Sequence, residues 1–285
     1  MNKKHGAWSK NEKIFFGLLA PILVLFFCFN TLPLIKGFYY GLTNFRGYGS
    51  YDFVGLRNFA EIFQDSRVGH SYLFTFKYAL VMTIVVNLLS LILALGLNSK
   101  IRGKNALRGI YFVPNILGGL VVGYIFSFIF TYILPTIGEV TGIDFLKTSL
   151  LGSTKWAWIA IAMNTIIYIS GLQTVPEEVY EACMLDGASG WKKFKSITLP
   201  LIMPFVTINL VLCMKNALMV FDQIMSLTKG GPSQSTESIS YLIYNNGMSG
   251  GQFGFQSANA FVFFIVIVAI SLFQMKFLGS KEEQL

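Results

Sequence analysis

Six stretches of this 285-residue chain stay apolar for the length of a bilayer, and that repetition limits the fold more tightly than any single motif. A helix needs about 20 mostly apolar residues to cross the hydrocarbon core. Backbone N–H and C=O groups left unpaired in lipid are so costly that other open structures are excluded. The runs cover 14–35, 72–97, 110–134, 156–172, 201–221 and 258–278. Composition agrees: 54% of residues are hydrophobic and only 13% charged, too little polar surface to cover a soluble globule. The expected fold is an all-α membrane protein with six transmembrane helices, preceded by a short polar tail at 1–13. The first run carries Phe15, Phe16, Phe26, Phe27 and Phe29 and continues into LPLIKGFYYGL, which reads as an uncleaved span and not as a signal peptide.

Between the runs lie connections of alternating character. The stretch 43–71 is polar and contains FVGLRNFAEIF, with the bland reading of an interfacial helix; NSKIRGKNALR separates the second and third runs and is basic. LTKGGPSQSTES, between the fifth and sixth, demands a turn at Gly-Gly-Pro. Lys3, Lys4, Lys10, Lys13, Lys100, Arg102, Lys104, Arg108, Lys192, Lys193, Lys195, Lys276 and Lys281 fall on one side, thirteen cations in all. The other side holds seven: Lys36, Arg46, Arg57, Arg67, Lys147, Lys155 and Lys229. By the positive-inside rule both termini are expected in the cytoplasm, with the connection between the fourth and fifth runs. That topology accounts for the net charge of +8, and no basic stripe with interleaved aromatics points to nucleic acid.

The cytoplasmic connection, TVPEEVYEACMLDGASGWKKFKSITLPLIMP, is the one long amphipathic, charged segment in the second half of the chain. Thr174 and Glu177 have capping-box spacing, Pro176 suits a first turn, and Glu177, Glu178 and Glu181 favour the positive end of the helix dipole. Gly187 supplies a stop. A second short amphipathic segment has Trp191, Phe194 and Ile197 at helical spacing with Lys192, Lys193 and Lys195 between them, and Pro200 and Pro204 open the next apolar run. The predicted form is helix, turn, helix, standing off the membrane.

At Glu181, Ala182, Gly187, Ile197, Leu199 and Pro200 this segment resembles the EAA loop of the membrane subunits of binding-protein-dependent ABC importers, with Cys183 in place of the motif's second alanine. The surrounding GLQTVPEEVYEACMLDGAS resembles the maltose-type carbohydrate permeases, and the likeness runs from Phe53 onward. The resemblance implies a type I ABC importer permease fold with a cytoplasmic coupling helix in the loop 174–199, seated in a cleft of an ATPase. On that basis Glu181, Ala182, Cys183, Asp186 and Gly187 are the expected ATPase contacts. It also implies a homologous second permease subunit, two ATPase subunits that hold ATP and Mg, and an extracytoplasmic binding protein that delivers a carbohydrate, an oligosaccharide in the first reading. An amphipathic helix resting on the inner leaflet is the plainer alternative.

Enzyme chemistry has little support. His5 and His70 have no acid or nucleophile near them in sequence, Cys28, Cys183 and Cys213 make neither a metal spacing nor a disulfide framework, and no Gly-x-x-x-x-Gly-Lys-Ser/Thr loop occurs. The chain is expected to carry no catalytic residue, metal or cofactor of its own, so ATP hydrolysis falls to another polypeptide. An ion-coupled secondary transporter would need acidic residues within its spans, and these are nearly absent.

Polar residues within spans face a cavity or a neighbouring helix. Asn164 and Ser170 on the fourth run and Asn209, Lys215 and Asn216 on the fifth are the substrate-pathway candidates. The resemblance locates sugar-contacting faces on the two helices flanking the loop, at stretches matching 160–164 and 213–220. Lys215, deep in the fifth run, either pairs with Asp222 two turns on or faces water, or else meets an anionic cargo such as sialic acid or glycerol phosphate.

Overall fold

The computed structural model describes residues 10–98, 119–142, 168, 172, 174–176, 179, 183 and 189–282. The described residues are helical apart from turns and one isolated bridge between Thr43 and Phe53. The helices are α1 (Lys10–Phe26), α2 (Leu32–Gly41), α3 (Arg57–Ile62), α4 (Ser66–Asn98), α5 (Gly119–Phe128), α6 (Leu134–Thr141), α7 (Gly190–Lys193), α8 (Leu199–Leu201), α9 (Met203–Leu218), α10 (Ile239–Tyr244) and α11 (Phe253–Glu282).

Among the described residues, three helices are long and apolar enough to cross a membrane, Phe15–Gly41, Ser66–Leu97 and Phe253–Gly279. Gly190–Leu201 with Met203–Leu218, bent by 72°, makes a fourth if the pair is one span. The expected count of six is therefore met only in part: most of 156–172 and the start of 110–134 lie outside the described residues.

The helices also outrun their predicted ends. α1 begins at Lys10, inside the expected tail, and the helical path continues to Gly41 where the apolar run suggested 35. α4 starts at Ser66, so His70, placed by the sequence in a polar connection, is on a helix. The third run was expected to end at Leu134, but α6 carries on to Thr141 and closes at Gly142, whose φ of 73° suits the left-handed cap. Hydrophobicity marks the lipid-facing part of a helix, whereas hydrogen bonding sets where it stops.

Proline shapes three of these helices in the same way. Leu32-Pro33, Leu134-Pro135 and Leu199-Pro200 each follow a five-residue π-helical turn, at Phe27–Thr31, Ile129–Ile133 and Phe194–Thr198. Proline has no N–H to give, and its ring crowds the carbonyl four residues back. A wider turn just before it accommodates both defects without ending the helix. At Pro204, only four residues past Pro200, the chain breaks at Ile202 instead, and this gives the 72° bend.

The chain divides into two compact units, 1–64 with 243–262, and 65–242 with 263–285. In the first, the Asn58 amide donates to the carbonyls of Gly41 and Thr43, both at 2.8 Å, which satisfies backbone groups left open where α2 ends. Tyr40 stacks on Phe45 with centroids 4.9 Å apart, and Tyr51 and Phe253 meet Phe45 edge-on. Gly254 donates its N–H to Phe45 O at 2.7 Å, and its backbone runs so close to the Thr43 carbonyl that no Cβ fits.

In the second unit α4 lies along α9, with Val86 and Cys213 buried between them. The connection after α9 is tied to the start of α4. The Arg67 guanidinium meets Glu237 through Nε and Nη2, both at 2.8 Å, while Glu237 is only 3% exposed and Arg67 34%. Thr75 Oγ1 accepts from Ile239 N at 3.1 Å, and Ser238 Oγ donates to Val220 O at 2.8 Å. These bonds serve the start of α10 and the end of α9.

Two outcomes follow for stability in nanodiscs. Gly254→Ala lowers the apparent melting temperature by the equivalent of about 1–3 kcal/mol, since the added methyl meets backbone. Gly279→Ala, with open space around it, leaves the melt unchanged. Arg67→Met strands a buried carboxylate and costs about 2 kcal/mol or more, and adding Glu237→Met recovers most of that loss. A double variant no more stable than Arg67→Met alone would contradict the pairing.

Candidate functional site

The loop 174–199 leaves and re-enters the helical body at one place. Leu172 and Val175 at its start and Ile202 just past its end are buried in the same cluster, together with Tyr168 and with Ala94 and Leu97 of α4. Phe205 and Val206 pack against that cluster from α9. Within the loop, Val179 N donates to Pro176 O at 3.2 Å, and Cys183 is helical and buried. A small apolar side chain at that position packs inward, which is what the cysteine in place of alanine still allows. Glu181, Ala182, Asp186 and Gly187 lie outside the described residues.

The far half of the loop is built as the spacing predicts. Ser189 caps α7, its Oγ accepting from Lys192 N at 3.3 Å. Phe194 and Ile197 are half-buried and Lys192 and Lys195 exposed, whereas Trp191 stays 71% exposed with its ring 5.7 Å from that of Phe194. A tryptophan that keeps its ring free beside exposed lysines provides an apolar contact at the end of a helix.

The polar candidates inside the spans separate into two groups. Asn209 is fully buried and bonds the Tyr168 hydroxyl. That hydroxyl donates to Asn87 Oδ1 at 2.8 Å, and Asn87 Nδ2 donates to Thr83 O at 2.8 Å. This buried chain of amides and a phenol joins α4, α9 and Tyr168, and its geometry is that of interhelical packing. Lys215 and Asn216 are exposed on α9, and Lys215 makes no ion pair with Asp222. Asn164 and Ser170 lie outside the described residues.

One feature escaped the sequence reading altogether. A cavity of about 590 Å³ opens between the first turns of α4 and the connection after α9. Arg67, His70, Phe74 and Lys77 line it from α4, and Ser233, Gln234, Ser235 and Glu237 from the connection. The signal was available: of the 22 lysines and arginines, Lys77 and Lys215 are the ones more than four residues inside an apolar run. Only Lys215 stood out, because Lys77 lies near the start of its run and its partner loop is distant in sequence.

Comparison with known proteins agrees with this architecture. Residues 86–281 match the family described as binding-protein-dependent transport system inner membrane component. The chain is 37% identical over 271 residues to the multiple sugar-binding transport system permease protein MsmF of Streptococcus mutans, covering 91% of this chain and 92% of that protein. It is 32% identical over 290 residues to AmyD of Thermoanaerobacterium thermosulfurigenes, a probable starch degradation products transport system permease protein, with 98% of both covered. The trehalose/maltose transport system permease protein MalF of Thermococcus litoralis is 31% identical, with 94% of each chain covered. Among solved structures, a chain of a bacterial ABC transporter involved in import of the acidic polysaccharide alginate shares the fold, with a TM-score of 0.80 at 20% identity over 95% of this chain and 96% of that one. With the family matched over 69% of its length and sugar permeases matched nearly end to end, this chain is a multi-pass membrane protein belonging to the permeases of binding-protein-dependent carbohydrate ABC importers.

Proposed function

We propose that the chain is one half of the membrane pathway of an ATP-driven importer that moves an oligosaccharide delivered by an extracytoplasmic binding protein. It works beside a homologous second permease, and two ATPase subunits bind ATP and Mg and carry out hydrolysis. The relatives named for sugars, starch products and trehalose/maltose support the cargo class. A second structure sharing the fold, a bacterial alginate transporter in complex with a pentasaccharide-bound periplasmic protein, supports delivery from outside.

The observation that carries the mechanism is the double anchoring of the loop 174–199. A separate ATPase drives a membrane domain only through a surface that transmits its closure. Here both ends of the loop are rooted in one buried cluster with α4, so a push on the loop reaches α4 and α9 together. Glu181, Ala182, Cys183, Asp186 and Gly187 form the coupling contact in this reading, with the loop and both termini in the cytoplasm as the thirteen-to-seven cation bias requires. Asn164, Lys215 and Asn216 remain the pathway candidates, while Asn209 acts through packing.

Reconstitution of this chain with its partner permease, ATPases and binding protein in proteoliposomes tests the proposal. Neutral oligosaccharide uptake should require ATP. Glu181→Ala and Gly187→Val should each lower uptake by tenfold or more, about 1.4 kcal/mol of lost coupling, and weaken ATPase association. Uptake without ATPase, or normal assembly and transport in both variants, would overturn it.

A further inference from the structure

The cavity beside α4 holds a charge arrangement that the coupling mechanism does not use. Arg67, His70, Phe74 and Lys77 follow one another at spacings of three, four and three, so they share one face of α4. The Arg67 charge is met by the two oxygens of Glu237. Lys77 has no ion-pair partner among the described residues and is exposed, about 16 Å along the helix from Ser66. Near the start of an apolar span, a lysine ammonium is accommodated where it faces water or an anion. Its ammonium is therefore the uncompensated positive charge of the cavity.

His70 adds a directed group. Its Nδ1 lies 2.7 Å from Ser66 O, and because a carbonyl only accepts, Nδ1 carries the proton and Nε2 is left for a ligand. Leu73 and Phe74 give the same wall an apolar patch. The facing wall is polar and fixed. Ser233 and Gln234 are consecutive non-glycine residues in left-handed conformation, with φ of 47° and 62°. Around them the Thr236 hydroxyl donates to Gly231 O at 2.6 Å and lies 2.9 Å from the Thr228 hydroxyl, and Thr236 N donates to Gly230 O at 3.3 Å. Glu237 clamps the end of the loop to Arg67.

An apolar patch, a row of hydroxyl and amide groups and an unpaired ammonium match a sugar ring that bears a carboxylate. The volume of about 590 Å³ lies within the range of small-molecule sites, roughly 300–1,000 Å³. We propose that this cavity is a binding site for an acidic sugar unit: Lys77 takes the carboxylate, His70 Nε2 accepts from a ring hydroxyl, Phe74 lies against the ring, and Ser233, Gln234 and Ser235 meet the other hydroxyls. The proposal rests on the carbohydrate-import reading and deepens it, giving the importer a preference for acidic saccharides at this site.

The test uses the full permease–ATPase complex in nanodiscs of zwitterionic lipid, with glucuronate and glucose as probes and dissociation constants measured by saturation-transfer NMR. Glucuronate should bind about tenfold more tightly than glucose, the worth of one charge-assisted hydrogen bond. Lys77→Gln should erase that preference, Lys77→Arg should keep it, and Lys36→Gln, remote in sequence from the cavity, should not alter it. Equal binding of both probes, or a preference that survives Lys77→Gln in an intact complex, overturns the site. So does loss of glucuronate binding when phosphatidylglycerol is added, which would assign Lys77 to a lipid headgroup. If ATP-driven uptake of a neutral oligosaccharide persists while no glucuronate preference is found, the proposed function stands and the acidic-sugar site falls. If glucuronate binds in a Lys77-dependent way but no sugar is taken up with ATP, the site stands and the importer reading falls.

Discussion

A bilayer offers a polar group nothing, and lipid tails are as good a neighbour for leucine as another helix is. Helices in such a solvent are held in register by close packing and by the few polar side chains that find partners across them. In this protein α4 supplies those partners for most of its length. Arg67 meets Glu237 at one end, Thr75 takes the N–H of Ile239, Thr83 lies 3.7 Å from the Met214 sulfur, Asn87 bonds Tyr168, and Ala94 and Leu97 pack with Ile202 at the other end. Among the described residues, α9, α10 and Tyr168 are each tied to that one helix.

The consequence for function is mechanical. The segment from 174 to 199 is long and charged. Leu172, Val175 and Ile202 are buried in one cluster with Ala94 and Leu97 of α4, and in the proposed mechanism this anchoring makes the segment a lever. The 72° break at Ile202 directs the chain from the loop into α9, and Pro204 sits in the first turn of the new helix, where its missing N–H needs no partner. The cavity near the opposite end of α4 is shaped by Glu237, which holds the connection after α9 against Arg67. One helix thus carries both the anchor of the coupling loop and one wall of the proposed sugar site.

Much of this was legible beforehand. The apolar runs announced helices at 14–35, 72–97 and 258–278, and helices there are found, each longer at both ends than its run. The capped amphipathic helix after Gly187 was legible from the spacing of Trp191, Phe194 and Ile197. Asn209 was singled out as a pathway candidate; it is buried and bonds Tyr168, 41 residues away in sequence, which no local pattern reveals. His70 was assigned to a loop because hydrophobicity rises only after Ser71, although Asp65 accepts from the N–H groups of Arg67 and Val68 and so starts the helix there.

Sequence by itself determined the solvent, the helical class and the family, because each depends on composition or on short-range spacing. Tertiary structure alone decided which polar residues serve packing and which stay open. A lysine in an apolar run reads the same whether it meets a carboxylate, a lipid or a ligand; only the distance to its neighbours separates these cases. Lys77 beside the fixed 233–237 wall and Lys215 exposed on α9, unpaired with Asp222, are alike in sequence and differ in the folded chain, because charges act through space and not along the backbone.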